Sequence, residues 1–216
     1  MSFPEYLARN YDDLLLLARD HLLMVVVSIL LGTLVGLALG VLSYRDPRRR
    51  SVVLGVTGTI LTIPSLALYT LLVAAGLGLG AKPVVLALTL YSLLPIVRNT
   101  ITGLLGVDPA IVESAQGMGM GRWQRLLRIE LPLAWPVILT GIRVSAMVLV
   151  GITALGAIVN GPGFGELIFD GLRRIGSPVA VNLALAGTLG VVLLGASVDA
   201  LFIGLTRMTT PRGIRG

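Results

Sequence analysis

An all-α polytopic membrane protein is the fold class that the sequence predicts: about five transmembrane helices, an external N-terminus, an internal C-terminus and a helical hairpin on the cytoplasmic side. Three observations predict it. Hydrophobic residues make up 55% of the 216 residues and charged residues 13%, with a mean hydropathy of +0.92, so a water-soluble core of this size would leave too little polar surface to cover it. Uncharged runs recur that are long enough, at about 1.5 Å per helical residue, to cross a hydrocarbon layer of about 30 Å. The arginines gather in alternate connectors, as they do when one set of loops stays inside. The length suits one domain, and 27 glycines spread through the apolar runs suit helices that approach closely in lipid.

Residues 1 to 20 carry mixed charge, Arg9 and Arg19 against Glu5, Asp12, Asp13 and Asp20, with Tyr6, Leu7, Tyr11, Leu14 and Leu15 available to line one side of an external, interfacial helix. The run from Leu22 to Leu42 is the first span. It exceeds the length of a signal-peptide core and its leader is acidic on balance, so it reads as an uncleaved anchor. Gly32, Gly36 and Gly40, four residues apart, make one face of it a packing seam. Arg45, Arg48, Arg49 and Arg50 follow, with only Asp46 against them, and such a short basic loop stays cytoplasmic. The second span runs from Val52 to Ala75 with Pro64 near its middle, where the missing N–H invites a kink. Gly76, Gly78 and Gly80 form a short external turn. The third span covers Val84 to Leu105 and contains Pro95, the fourth covers Ala134 to Val159, and the fifth covers Val179 to Leu205. On this topology Arg45, Arg48, Arg49, Arg50, Arg122, Arg125, Arg128, Arg207, Arg212 and Arg215 lie inside and Arg9, Arg19, Lys82, Arg173 and Arg174 lie outside, ten against five.

Composition also excludes chemistry. There is no cysteine and a single histidine, His21, so disulfides, thiolate metal sites and histidine clusters are out of reach. Lys82 is the only lysine, and it is followed by Pro83 rather than set in a phosphate-binding G-x-x-x-x-G-K-[ST] loop. The chain is therefore not expected to be an enzyme or to carry a cofactor. If ATP drives it, another subunit binds the ATP. Nothing in the sequence suggests a nucleic-acid partner.

One polar segment interrupts the apolar chain, ESAQGMGMGRWQRLLRIELP from Glu113 to Pro132. Asp108 can cap a helix that starts at Pro109, and Gly117, Gly119 and Gly121 end it within three turns. A second short helix runs from Arg122 and is closed by Pro132, with Trp123, Leu126, Leu127 and Glu130 on one stripe and Arg122, Arg125 and Arg128 on another side. The bland alternative is an amphipathic hairpin resting on the membrane surface.

This segment resembles the signature loop of permease subunits of type I binding-protein-dependent ABC importers: Glu-Ala-Ala, three residues, Gly, nine residues, Ile-x-Leu-Pro. Here it reads Glu113-Ser114-Ala115, Gly119 and Ile129-Glu130-Leu131-Pro132, with Ser114 in place of the middle alanine as the one departure. Further stretches are similar to the osmoprotectant branch, the importers of glycine betaine, choline, carnitine and related solutes: Ile63 to Leu68, Leu90 to Thr100, Leu131 to Arg143 and the closing Thr210-Pro211-Arg212-Gly213. The likeness covers most of residues 20 to 213 and none of the first 20.

The resemblance implies one permease domain over 1–216: an external N-terminal segment (1–20), a cytoplasmic coupling loop (106–132) and an external loop (160–178). It implies an ATPase-coupling surface made by Glu113, Ser114, Ala115, Gln116, Gly117, Met118, Gly119, Arg122, Leu131 and Pro132. The implied partners are cytoplasmic ATP-binding subunits, an external solute-binding protein, a second permease chain, identical or related, and membrane lipid. The implied location is the bacterial cytoplasmic (inner) membrane, crossed several times, and the implied mechanism is alternating access. Asn160 to Gly165 and the GELIFDGLRRIG helix after it read either as an ordinary connector or as a contact surface for the external partner, and the resemblance favours contact. Permeases for amino acids, metals or sulfonates share the loop. An ion-coupled carrier, which would need intramembrane carboxylates, and a scaffold protein remain as other classes, although Asp199 is the one acid in any assigned span.

Candidate pathway residues are Pro64, Ser65, Tyr69, Tyr91 and Asn99 in the second and third spans. Aromatics are only 5% of the chain, so no tight aromatic cage for a quaternary ammonium group is expected, and isolated tyrosines in helices more often pack. Arg143 and Asp199 fall at similar depth in the fourth and fifth spans and are expected either to pair or to be solvated separately, Arg143 by snorkelling to the headgroups.

Overall fold

The computed structural model describes residues 2–209, and all its regular elements are helices. The closing motif at 210–213 and Arg215 lie outside the described residues. A short α1 (Phe3–Arg9) leads into α2 (Tyr11–Ser43), followed by α3 (Pro47–Thr62) and α4 (Ser65–Leu72), which ends in a π-turn at Val73–Leu77. Then come α5 (Ala81–Leu105), α6 (Pro109–Gly117), α7 (Arg122–Arg125), a second π-turn at Leu126–Glu130, α8 (Leu131–Leu155) with a 3₁₀ turn at Gly156–Val159, α9 (Gly165–Arg173) and α10 (Ala180–Thr209). Among the described residues, four helical runs are long and apolar enough to cross a membrane, and the bent pair α3–α4 is the fifth candidate.

The centre of the bundle is α5, which packs on α2 along one side and α8 along the other, with α3 also against it. The seam on α2 has a physical cause. A Cβ on Gly36 would lie 2.7 Å from Ile96 Cγ2, and Gly32 and Gly40 similarly leave no room beside Ser92 and Thr100, so the three glycines let the two backbones close up. At the α5–α8 crossing Gly141 faces the Pro95 carbonyl and Asn99 in the same manner, and Ser145 Oγ donates to the Ser92 carbonyl at 3.0 Å. His21 is buried, its Nε2 2.9 Å from the Val150 carbonyl, and so links α2 to α8. The outer faces of α2 and α10 remain exposed leucine and valine, Leu34 at 70% and Leu193 at 65%, as suits helices whose solvent is lipid.

Three expectations change. Only Phe3–Arg9 forms a separate helix, capped by the Ser2–Glu5 box and packed through Tyr6 on Leu183 and Ala186 of α10. From Tyr11 the chain is already the 33-residue helix of the first span, because the leucine-rich stretch to Ser43 holds no proline. The kink at Pro64 is a full break, with α3 and α4 bent by 95° and Ile63 extended between them. Pro132 closes nothing: Arg122–Val159 is one 38-residue helical run. The π-turn before the proline explains this, since Leu131 N reaches back five residues to Leu126 O and the wider turn accommodates a residue that has no N–H to give.

Candidate functional site

The candidate site lies at the end of the bundle where α2 stops, α5 stops and α8 begins. Asp108 accepts a bond from Ala110 N at 2.8 Å, which caps α6 and leaves Pro109 at the position where a missing donor is harmless. The helix closes in a Schellman motif: Met120 N donates to Ala115 O at 3.1 Å, Gly119 N donates to Gln116 O at 2.9 Å, and Gly119 has φ +80. The signature glycine is thus the left-handed residue of the cap, which explains its distance from Glu113.

On this short helix Ala115 is buried at 1% exposure while Glu113, Ser114, Gln116, Gly117, Met118 and Gly119 face outward. Ser114 Oγ turns back to the Ala110 carbonyl at 2.7 Å, so the hydroxyl that departs from the signature is satisfied within its own turn. Met118 is 71% exposed and Ile111 43%, giving the outer surface an apolar component beside the Glu113 carboxylate. Leu131 and Pro132 stand at the start of α8, and Arg122 faces α2, where it lines a small cavity with Arg49 and Tyr44.

Beneath α6 is a polar network that sequence reasoning missed. The stripe assignment put Glu130 on an apolar face and Arg125 on a cationic one. Both are buried instead, at 3% and 8% exposure, because the π-turn rotates Glu130 inward. Its carboxylate accepts from Tyr44 Oη at 2.7 Å, Arg45 Nη2 at 2.9 Å and Arg125 Nε at 3.1 Å, and Arg125 Nη1 also donates to Gln116 Oε1 at 3.3 Å. A buried carboxylate with three donors, two of them cationic, is fully compensated. Burial, and then the Glu130 carboxylate, push the Tyr44 hydroxyl above its usual range, so it stays a donor. The result is a continuous polar path from α6 through Arg125 and Glu130 to the end of α2. The signal available in the sequence was an acid in the variable slot of Ile-x-Leu-Pro, with a Tyr-Arg pair ending the first span.

The candidate pathway residues divide. Tyr69 and Tyr91 are buried, at 0% and 3% exposure, and both hydroxyls are committed to backbone: Tyr69 to the Ile152 carbonyl at 3.1 Å, Tyr91 to the Ile63 carbonyl at 2.8 Å. In this structure both side chains pack within the bundle of the single chain. Tyr91 fixes the break between α3 and α4 by satisfying a carbonyl at the bend. Asn99 donates to the Pro95 carbonyl at 2.8 Å within α5. Pro64 is exposed and Ser65 half-buried, on the open side of the broken span. Arg143 and Asp199 come together, Nη2 to Oδ1 at 2.6 Å, and link α8 to α10. At the far end, Gly80 N donates to Val159 O at 2.7 Å and α9 lies against α10.

Residues 24–207 match the family described as binding-protein-dependent transport system inner membrane component. The chain is 39% identical over 219 residues to the osmoprotectant import permease protein OsmW of Salmonella typhimurium, covering 100% of both. It is 35% identical over 211 residues to the glycine betaine/carnitine/choline transport system permease protein OpuCB of Bacillus subtilis, covering 98% of this chain and 95% of that one. Its fold is similar to a chain of the MetNI methionine ABC transporter in an inward-facing crystal form, with a TM-score of 0.81 at 22% identity over 98% of this chain and 100% of that one. With the match running from α2 into α10 and through every span, the chain belongs to the family of binding-protein-dependent transport system inner membrane components, the multi-pass permease subunits of ABC importers.

Proposed function

We propose that this permease passes an osmoprotectant of the quaternary ammonium kind, delivered by an external binding protein and driven by separate ATPase subunits. The observation that carries the solute class is the end-to-end similarity to relatives named for osmoprotectant and for glycine betaine, carnitine and choline transport. The sequence has no phosphate-binding loop, which supports hydrolysis of ATP by the partner subunits. The ten-to-five distribution of basic residues supports an orientation with α6 inside and the N-terminus outside, with Glu113 to Gly119 on the face an ATPase would grip.

Displacement of α6 then has two routes inward. Leu131 and Pro132 start α8 directly, Arg122 and the rest of α7 follow the same hairpin, and Gln116, Arg125 and Glu130 carry the motion to Arg45 at the end of α2. The passage forms between two permease chains, identical or related. Supporting this, the broken span leaves open space at Gly55 and Gly58 and exposes Thr59, Thr62, Pro64 and Thr70 among its valines and leucines, a surface that a second chain could approach closely. The external loop, 160–178, is the contact for the binding protein.

Reconstitution tests the proposal. Vesicles containing this chain, its ATPase subunits and the binding protein are expected to accumulate radiolabelled glycine betaine, choline or carnitine only with internal ATP. Uptake driven by an ion gradient without the ATPase points to a carrier, and uptake of amino acids in place of these solutes removes the solute assignment.

A further inference from the structure

We propose that the corner where α2 ends, α3 begins and α7 starts is a binding site for one anionic phospholipid. Two cavities meet there and share Leu42 and Arg49. The larger, about 390 Å³, has an apolar floor of Leu39, Leu42, Val52 and Val53 with Arg48 and Arg49 at its rim. The smaller, about 200 Å³, is lined by Arg49, Arg122, Trp123 and Tyr44. An acyl chain fits the first and a phosphodiester the second.

Electrostatics favour an anion from outside the chain. Arg48 and Arg49 lie in the first turn of α3 and Arg122 opens α7, so three cations sit at helix N-termini, where the backbone dipole repels them. The two acids close by are already committed: Asp46 caps α3 and holds one edge of Arg49 at 3.2 Å, and Glu130, behind Tyr44, is shared by Arg45 and Arg125. Among the described residues, the guanidinium groups of Arg48 and Arg122 have no hydrogen-bonding partner. Basic groups at the membrane surface attract anionic lipid, and Trp123, 62% exposed beside them, has the amphipathic ring that settles at headgroup level. A soluble anion or an acidic protein surface would fill the arginine niche and leave the apolar slot empty, whereas a phospholipid fills both. Seated there, the lipid ties the base of the hairpin to the α2–α3 elbow. The site requires only that the chain lie in a bilayer and is independent of the solute transported.

Native mass spectrometry of the permease–ATPase complex in neutral detergent, with phosphatidylglycerol or phosphatidylcholine added, tests this. Phosphatidylglycerol is expected to be retained in preference, and the double variant Arg49→Gln/Arg122→Gln to lower its retention about tenfold or more. Val53→Trp, which fills the slot and leaves every arginine in place, is expected to lower it similarly. Arg128→Gln, an exposed arginine of the same hairpin outside both cavities, is expected to change nothing. The intact mass of the complex establishes that the variants remain assembled with the ATPase, and unfolding midpoints that they remain folded. Three results overturn the site: equal loss with Arg128→Gln, which means diffuse attraction; displacement of the lipid by inorganic phosphate at matched ionic strength, which means a free-anion niche; or undiminished retention in the double variant.

Discussion

Arg143 and Asp199 form an ion pair between α8 and α10, with Nη2 at 2.6 Å and Nε at 2.7 Å from the same carboxylate oxygen. Both side chains keep about a third of their surface uncovered by the chain, at 38% and 31%, so the pair faces the edge of the bundle rather than its core. Neutralising one partner leaves the other unpaired at membrane depth, at a cost of about 2.5–3.5 kcal/mol on insertion scales. Arg143→Leu and Asp199→Leu are each expected to reduce the amount of folded permease, and the double substitution to restore much of it. Fluorescence-detected size exclusion of the three variants reads this directly. Equal losses in single and double variants would mean that the contact contributes no coupling.

Glu130 is the junction of the polar path, and its removal separates stability from coupling. Glu130→Ala strands the buried Arg125 and is expected to destabilise the subunit by about 3 kcal/mol. Glu130→Gln keeps shape and a hydrogen-bond acceptor. It is expected to leave the complex assembled while lowering the stimulation of ATPase activity by loaded binding protein, with basal hydrolysis retained. Unchanged stimulation in the Gln variant would show that the network is only a structural support.

Gly119 tests the cap. A side chain at φ +80 is strained by roughly 1–2 kcal/mol, so Gly119→Ala is expected to fray the last turn of α6 and Gly119→Val to fray it further. ATP-driven uptake should fall in that order while the apolar bundle keeps its thermal midpoint within a few degrees.

Gly36 and Gly58 make a paired experiment. Gly36→Leu meets Ile96 in the α2–α5 seam and is expected to prevent folding in detergent. Gly58→Leu enters open space on α3, so the single subunit should tolerate it, and a loss of transport together with dissociation of the permease pair would support the α3–α4 face as the meeting surface.

Tyr91→Phe removes one bond to the Ile63 carbonyl, worth roughly 1 kcal/mol, and is expected to lower the melting temperature slightly with solute affinity unaltered. A changed apparent affinity would place Tyr91 in the passage.

Much of this molecule was legible in its sequence because the bilayer is a simple solvent: an uninterrupted apolar run of the length of Leu22 to Leu42 becomes a helix, since only a helix satisfies the backbone of a single segment within lipid. The Gly32, Gly36, Gly40 seam, the Asp108 cap and the end of α6 in the run of Gly117, Gly119 and Gly121 follow from local spacing, and the structure makes Gly119 the left-handed residue among them. Side-chain partners did not follow, because they depend on how helices rotate and where they break. A π-turn of five residues swung Glu130 from the assumed apolar stripe to the buried junction with Tyr44 and Arg45, some 85 positions away in the chain. At Pro64 the chain bends by 95°, and there the carbonyl of the extended Ile63 accepts from Tyr91, a partner 28 positions away that no local pattern names. Hydrophobic length and local hydrogen bonding set the helices, whereas the azimuth of each helix about its axis, which only packing determines, decided which polar groups could meet.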